Sequence, residues 1–436
     1  MAQRGIREYD GKRILAQNWE EYFDGAFEYD FKSILITPET DLDKIPEEYP
    51  WVKETPLVAK PDMLFGKRGK LGLIFFKKEK PGDVTWEDAK EWIKQKMSEE
   101  VEINGIKGHL THFLVEPFVP HKPEEEYYVA ITTDEDEDII YMSAFGGIDV
   151  EENWDKVVEV RIPITASDEE IKKLIEENVP ADIKDKEKYA DFVYRLYKLF
   201  RDLHFAYLEI NPLVMVGNKV YPLDFVGRVD DTAQFVAGRK WGELEFPAGF
   251  GRDLSPEEKY IKEMDEKSGA SLKLTILNPE GRIWTLVAGG GASVVYADTV
   301  ADLGYVKELA NYGEYSGNPS RAETREYVKT VFDLMTRSKH PKGPKILIIG
   351  GAIANFTDVA KTFEGIIDAM KEYADKLREV GVRIYVRRGG PNYEVGLKRI
   401  KEAAEELGLP IEVYGPETHM TEIVKKAIQE AEKEAA

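Results

Sequence analysis

An asparagine and two carboxylates stand where a β-hairpin normally carries valine or isoleucine. Tyr207-Leu208-Glu209-Ile210-Asn211-Pro212-Leu213 and Tyr221-Pro222-Leu223-Asp224 flank a polar turn, Val216-Gly217-Asn218-Lys219, and together they read as a hairpin. Mg²⁺ takes one or two protein oxygens and leaves its other positions to water and phosphate. Asn211 and Asp224 on adjacent strands suit such an ion held against a nucleotide; the plain alternative is a hairpin with polar edge positions. Upstream, Val58-Ala59-Lys60-Pro61 ends an apolar run, and Lys67-Arg68-Gly69-Lys70-Leu71-Gly72 forms a basic loop. Its glycines let the backbone approach phosphate oxygens while Lys and Arg offset their charge. A solvated basic turn reads the same residues equally well. The loop Ser143–Glu151 has the form of a backbone nest or of a hairpin turn. The Pro-flanked stretch Leu114–His121, followed by Glu126, is extended enough to face an adenine edge.

Three glycine-rich turns mark the second half. Val287–Ser293 and Ile349–Thr357 each run from a strand towards a helix, the geometry that aims backbone N–H groups at an anion. Val386-Arg387-Arg388-Gly389-Gly390-Pro391-Asn392 follows a third strand. Each glycine taken singly is a tight turn. Together with the paired arginines they describe a pocket for a polycarboxylate, since guanidinium forks bind carboxylates in bidentate fashion. None of the six histidines has a carboxylate or hydroxyl partner at a telling spacing, so all six read as structural or surface residues and no nucleophile stands out.

These residues need elements to hold them. In 436 residues two or three domains are expected. The Pro/Gly-rich passage 244–256 reads as a linker, which places a boundary at 245/246. Before it, short β-type runs (Leu71–Phe76, Phe113–Glu116, Tyr127–Thr132, Ile139–Met142) alternate irregularly with helical stretches. One amphipathic helix, about 186–204, puts Tyr189, Val193, Leu196 and Phe200 on one face. That is an α+β pattern. After the linker, strands Ile283–Val287, Ile346–Ile349, Val382–Val386 and Ile411–Tyr414 alternate with helices. The clearest helix, about 357–378, carries Val359, Phe363, Ile366, Ile367, Met370 and Tyr373 on one face. Such alternation predicts an α/β domain with a doubly wound parallel sheet and ligands at the strands' carboxyl ends.

A balance of 60 basic against 82 acidic residues gives −22, which argues against nucleic acid or an anionic membrane as partner. Any ATP or carboxylate site must then be a local island of positive charge. The absence of cysteine excludes disulfides, thiolate nucleophiles and Cys-ligated metals. Abundant Lys and Glu without Cys is a hot-adapted bias. The longest uncharged run, Ile283 to Ala297, is too short to span a membrane, and no secretory signal is visible at the start. A cytoplasmic protein is expected.

Read together, these stretches resemble one family across nearly the whole chain. Leu114–His121, Leu208–Leu213, Lys267–Thr275, Val287–Tyr296, Ala310–Gly317, Ile348–Thr357 and Val386–Tyr393 are similar to the amino-terminal portion of ATP citrate lyase, and equally to the large nucleotide-binding subunit of citryl-CoA synthetase. The chain more distantly resembles the β subunit of succinyl-CoA synthetase, from which Glu-Pro-Phe-Val-Pro-His and Arg-Arg-Gly-Gly-Pro-Asn-Tyr set it apart. The resemblance implies an ATP-grasp domain followed by a flavodoxin-like citrate-binding domain. It implies that Lys60, Lys67, Arg68 and Gly69 contact ATP phosphates, and that Glu116, Pro117, Val119 and Glu126 line adenine and ribose. Asn211 and Asp224 would hold Mg²⁺, and Glu209 would face a phosphohistidine. Citrate would lie among Gly289, Gly290, Gly291, Ala292, Asn318, Asn355, Thr357, Tyr373 and Arg388. Lys67 departs from the arginine of animal relatives, which keeps the charge but loses a bidentate donor. The implied partners are citrate, CoA and a second subunit that carries the phosphorylated histidine and most CoA contacts. The leading expectation is a citryl-CoA synthetase subunit, with the same subunit of a two-subunit ATP citrate lyase as its alternative. Behind them stand a succinate-type ligase and a non-catalytic binding subunit.

Overall fold

The computed structural model describes residues 3–76, 83–252 and 254–435. The chain divides into two compact units, residues 1–253 and 254–436.

The first unit is built on a seven-stranded antiparallel sheet. Its strands run in the order Gln3–Ile6, Phe225–Asp230, Phe205–Val216, Glu126–Asp134, Glu137–Ser143 and Val158–Pro163, with Lys219–Pro222 paired to the far half of Phe205–Val216. Period-two patterning sets this long strand: Leu208 and Ile210 are fully buried, while Tyr207, Glu209 and Asn211 share the opposite, half-buried face. The hairpin turn falls at Gly217-Asn218, where Gly217 has φ +62°. The buried face packs on the helix Lys186–Asp202 through Tyr189, Val193, Leu196 and Phe200, the stripe its periodicity predicts. Asp185 caps that helix.

A three-stranded antiparallel sheet, Ile34–Ile36, Phe113–Pro117 and Leu57–Pro61, has its own core, including Phe113, Val115, Leu57, Trp86 and Ile93. The expected strand Leu71–Phe76 is absent. Phe75 makes one bridge to Ala59, and Leu71 is exposed in a turn. The physical reason is local: Lys67 (φ +63°) and Gly72 (φ +67°) adopt left-handed backbone that breaks an extended run.

The second unit holds four parallel strands, Ile283–Ala288, Ile346–Gly351, Arg383–Arg387 and Ile411–Tyr414, which lie side by side in chain order. The first two are buried on both faces along their whole length, hence their unbroken apolar runs, while the edge strand Ile411–Tyr414 is only half-buried. Trp284 and Leu286 face a core shared with the helices Arg321–Met335, Val359–Glu379 and Tyr393–Glu406. Ile283 and Val287 face the helices Gly290–Asp302 and Glu422–Ala435. The sheet is thus covered by helices on both sides. A separate antiparallel pair joins Ser271–Ile276 to Asn311–Ser316. Among the described residues no helix is long and apolar enough to cross a membrane.

The helix Glu8–Gln17 sits unusually close to the large sheet. A Cβ on Gly11 would lie 2.1–2.2 Å from atoms of the Phe225 ring, which is itself only 2% exposed. Replacing a helical Gly by Ala ordinarily stabilises by about 0.5–1 kcal/mol. For Gly11→Ala the sign should reverse, with a loss of about 1–3 kcal/mol from overpacking. Urea unfolding measures it; an unchanged or higher midpoint would refute this close approach.

Candidate functional site

The amino-terminal helix, the end of the strand Leu57–Pro61 and the hairpin meet in a buried charge cluster. Asp62, just past that strand, accepts the N–H groups of Glu8 (2.8 Å) and Tyr9 (2.9 Å) and so caps the helix Glu8–Gln17 from outside it. This fixes Glu8, whose carboxylate accepts from Lys60 (2.6 Å), Lys12 (2.7 Å) and Arg68 (2.7 Å). Arg68 also donates to the carbonyl of Pro61 (2.7 Å) and pairs with Asp224. Lys12 reaches both oxygens of Glu116 (2.9 and 2.8 Å), one of which also accepts from Ser33 (2.6 Å). Lys60 and Lys12 donate in addition to the carbonyl of Leu223. Burial pushes the Glu8 carboxyl up, but Lys12, Lys60 and Arg68 outweigh it and hold the group well below the usual carboxylate range. Burial, with Glu8 beside it, raises Asp62 to about 6.

Lys60, Arg68, Glu116 and Asp224 are therefore brought together, on partners the sequence reading had not included. Glu8 and Lys12 at i,i+4 read as a surface ion pair, yet they are 4% and 1% exposed. The signal was their place beside Ile14 and Leu15, both in the core. Gly69 lies in the turn after Arg68, and Lys67 is exposed. Pro117 sits opposite Leu57 across the small sheet.

Val119 and Glu126 are joined through His121. Its Nδ1 lies 2.7 Å from the Val119 carbonyl and its Nε2 lies 2.9 Å from a Glu126 carboxylate oxygen. Both ring nitrogens thus face acceptors, which favours the imidazolium, and the hydrogen bond to Glu126 raises its pKa against partial burial. The expectation that no histidine has a carboxylate partner is corrected here: the loop between the two residues closes back on itself and makes a pair that sequence spacing conceals.

In the hairpin, the Asn211 N–H donates to the Asp224 carbonyl (3.2 Å), so the two proposed metal ligands are neighbours. The Asn211 Oδ1 accepts from the Gly147 N–H (2.6 Å), and the Gly146 N–H goes to the Glu126 carbonyl (2.7 Å). The 143–151 loop is therefore anchored through one amide to the hairpin and through the other to the strand Glu126–Asp134. Among the described residues no group of three or more His, Asp or Glu forms a metal cage. Asn211 in its strand and Asp224 just before the strand Phe225–Asp230 bring one amide and one carboxylate together, a donor set suited to Mg²⁺, which draws its other ligands from phosphate and water. Here the amide oxygen accepts from Gly147 and one carboxylate oxygen pairs with Arg68. Glu209 accepts from the hydroxyls of Tyr207 (2.6 Å) and Tyr128 (3.2 Å), a brace that fixes its carboxylate on the half-buried face.

In the second unit the parallel strands deliver their loops to one edge. Asn311–Ser316 runs alongside Ile283–Ala288, tied by an Ile283–Leu309 bridge and by Asn311 to the backbone of Thr285. Asn318 (φ +60°) follows it, exposed. Gly289 (φ +107°) turns the chain into the helix Gly290–Asp302, which has no side-chain cap. The stretch holding Asn355 and Thr357 is stitched to the arginine loop by Ala354 to Gly389 (2.9 Å) and Val359 to Pro391 (3.0 Å). The following helix is capped by its own Asp358, whereas Gly290–Asp302 and Tyr393–Glu406 begin without a side-chain cap.

The two arginines behave differently. Arg387 is saturated by the carbonyls of Thr418 (2.8 Å), Gly351 (3.0 Å) and Pro416 (3.2 Å). Arg388 is 7% exposed, donates to the Ala352 carbonyl, and has no carboxylate partner among the described residues. Burial lowers its pKa. Gly351 makes room for it, since a Cβ there would lie 2.6 Å from the guanidinium. Glu314, held by Ser271 (2.9 Å) and Ser316 (2.7 Å), stands beside Gly290. One expected residue does not join this edge. Tyr373 lies fourteen residues into the helix Val359–Glu379, on the order of 20 Å along its axis. Its ring packs on Phe332 with centroids 6.1 Å apart. The apolar periodicity of the helix already assigned it to the core.

A buried charge cluster beside the hairpin in one unit, and an arginine-bearing loop edge on a parallel sheet in the other, suit a two-domain protein that handles a nucleotide and a carboxylate. Residues 2–241 match the family described as ATP-citrate synthase ATP-grasp domain, and residues 252–430 match ATP citrate lyase citrate-binding. The chain belongs to the ATP-citrate synthase (ATP citrate lyase) family, as its amino-terminal ATP-grasp and citrate-binding portion. It is 49% identical to ATP-citrate synthase alpha chain protein 2 of Arabidopsis thaliana, over 98% of this chain and 99% of that one. It is 47% identical to ATP-citrate synthase of Homo sapiens, covering 98% of this chain but 38% of the human one. ATP citrate lyase from Methanothrix soehngenii, solved with citrate and coenzyme A, is 52% identical with a TM-score of 0.88, covering 98% of this chain and 100% of that one.

The His121–Glu126 pair gives a pH dependence. A raised folded pKa means stabilisation that is present below the ordinary histidine value of about 6.5 and is lost as pH rises through the folded value. NMR titration should place His121 above that ordinary value, and Glu126→Gln should bring it back down. An unshifted His121 in the native chain would contradict the pairing.

Proposed function

We propose that this chain is the nucleotide- and citrate-binding subunit of a two-subunit ATP citrate lyase. Support comes from its end-to-end match to an alpha chain and to a lyase chain solved with citrate and coenzyme A. These relatives favour the lyase over the stand-alone citryl-CoA synthetase that the hot-adapted composition had put first. The human relative extends well beyond the matched 38%, and in this reading the phosphorylated histidine, most CoA contacts and the cleavage step belong to the portion outside the match.

In this reading ATP phosphorylates a histidine of the partner, the phosphoryl group passes to citrate, and CoA displaces it to give citryl-CoA. Phosphoryl transfer is mostly positioning and charge neutralisation. Lys60 and Arg68, with Lys67 and Gly69 on the loop, meet the phosphates; Glu116, Pro117, Val119 and Glu126 border the nucleoside. Mg²⁺, held by Asn211 and Asp224, would neutralise phosphate oxygens. Glu209, fixed by its two tyrosines, faces the incoming phosphohistidine. Citrate lies at the edge formed by Gly289–Ala292, Asn318, Asn355, Thr357 and Arg388. Glu314, an acceptor only when ionised, suits the single hydroxyl of citrate.

Arg388 is the observation that carries the citrate site. A buried cation without a carboxylate partner is costly unless an anion joins it. Arg388→Ala should weaken citrate binding by calorimetry by about 10- to 150-fold, the roughly 1.5–3 kcal/mol of a charge-assisted contact. Unaltered citrate affinity would move the pocket elsewhere. The lyase reading has its own test. Mixed with its cognate subunit, ATP, citrate and CoA, the chain should yield acetyl-CoA and oxaloacetate directly. Citryl-CoA as the final product would return the assignment to a synthetase.

A further inference from the structure

Lys60 and Arg68 arrive from different segments, a strand end and a turn, yet their heads converge on one carboxylate, that of Glu8. Its two oxygens divide the work: Oε1 takes Lys60 and Lys12, and Oε2 takes Arg68. Nothing about Glu8 is adventitious. Its backbone N–H is fixed by Asp62, and Gly11, one turn on, is flush against Phe225, the residue after Asp224.

The charges of the cluster have an order. Three cations (Lys12, Lys60, Arg68) are balanced by Glu8, Glu116 and Asp224. In the reading above Glu116 turns to the nucleoside and Asp224 to the metal. Glu8 has no such role. It alone would stay on the three cations once a nucleotide arrives, holding them in place while leaving a net positive charge for phosphate. We propose that Glu8 is a positioning residue of the nucleotide site, fixing the heads of Lys60 and Arg68 where the phosphates dock. This inference rests on the nucleotide reading of the first unit.

The rival account is that Glu8 only balances buried charge so that the unit folds. Removing Lys12 together with Glu8 keeps the balance and so separates the two. Mg·ATP binding is measured by calorimetry on the full chain for the native protein, Glu8→Asp, Lys12→Met and Glu8→Gln/Lys12→Met, with citrate binding and thermal midpoint alongside. The double variant should fold, bind citrate as the native chain does, and bind Mg·ATP at least tenfold more weakly than Lys12→Met alone. Glu8→Asp, which keeps the charge but shortens its reach, should fold and lose part of the affinity. Equal Mg·ATP affinity in Lys12→Met and the double variant would overturn the inference, as would native affinity in Glu8→Asp should the double variant not fold. A native chain that binds citrate but no Mg·ATP would instead overturn the nucleotide reading itself.

Discussion

A single guanidinium ties the first unit together. Arg68 pairs at once with Glu8 from the amino-terminal helix and Asp224 from the hairpin, two carboxylates far apart in sequence. Removing either partner would leave charge buried and unmatched, a far larger cost than the pair's net contribution. The close seat of the helix on Phe225, the external cap from Asp62 and the reach of Lys60 and Lys12 all meet at this junction. In a chain of net charge −22 this cluster gathers three cations into a local island of positive charge.

The second unit solves the same problem differently. There the cations are twins at a strand end. Arg387 spends its donors on three backbone carbonyls and locks the loops of neighbouring segments together. Arg388, next in sequence, rests on one carbonyl and the space left by Gly351. Geometry of the backbone, and not residue type, sets three carbonyls on Arg387 and one on Arg388.

Much of this was legible in the sequence where a pattern has one physical cause. The hairpin with Glu209, Asn211 and Asp224, the helix face of Tyr189 to Phe200, and the parallel strands with glycine turns all follow from period and turn chemistry. What escaped notice lacks local contrast. Glu8 and Lys12 have the spacing of a solvent-exposed pair and are buried only because a distant strand and hairpin close over them. His121 finds Glu126 through a loop closure that no spacing rule encodes. Leu71–Phe76 has strand-like composition, but left-handed residues around it break the run. Tyr373 is instructive in the other direction. Its helical periodicity pointed to the core, where it lies, while family resemblance had drawn it towards the ligand.

The unmatched charge of Arg388 has a thermodynamic corollary. Burying a guanidinium that has a backbone carbonyl and no carboxylate beside it among the described residues costs free energy, which an anion bound there would offset. By linkage, a ligand that binds only the folded form stabilises it by RT ln(1 + [L]/Kd). In the proposed reading the tricarboxylate is then both a reactant and a source of stability, and the second unit resists unfolding most when substrate is abundant.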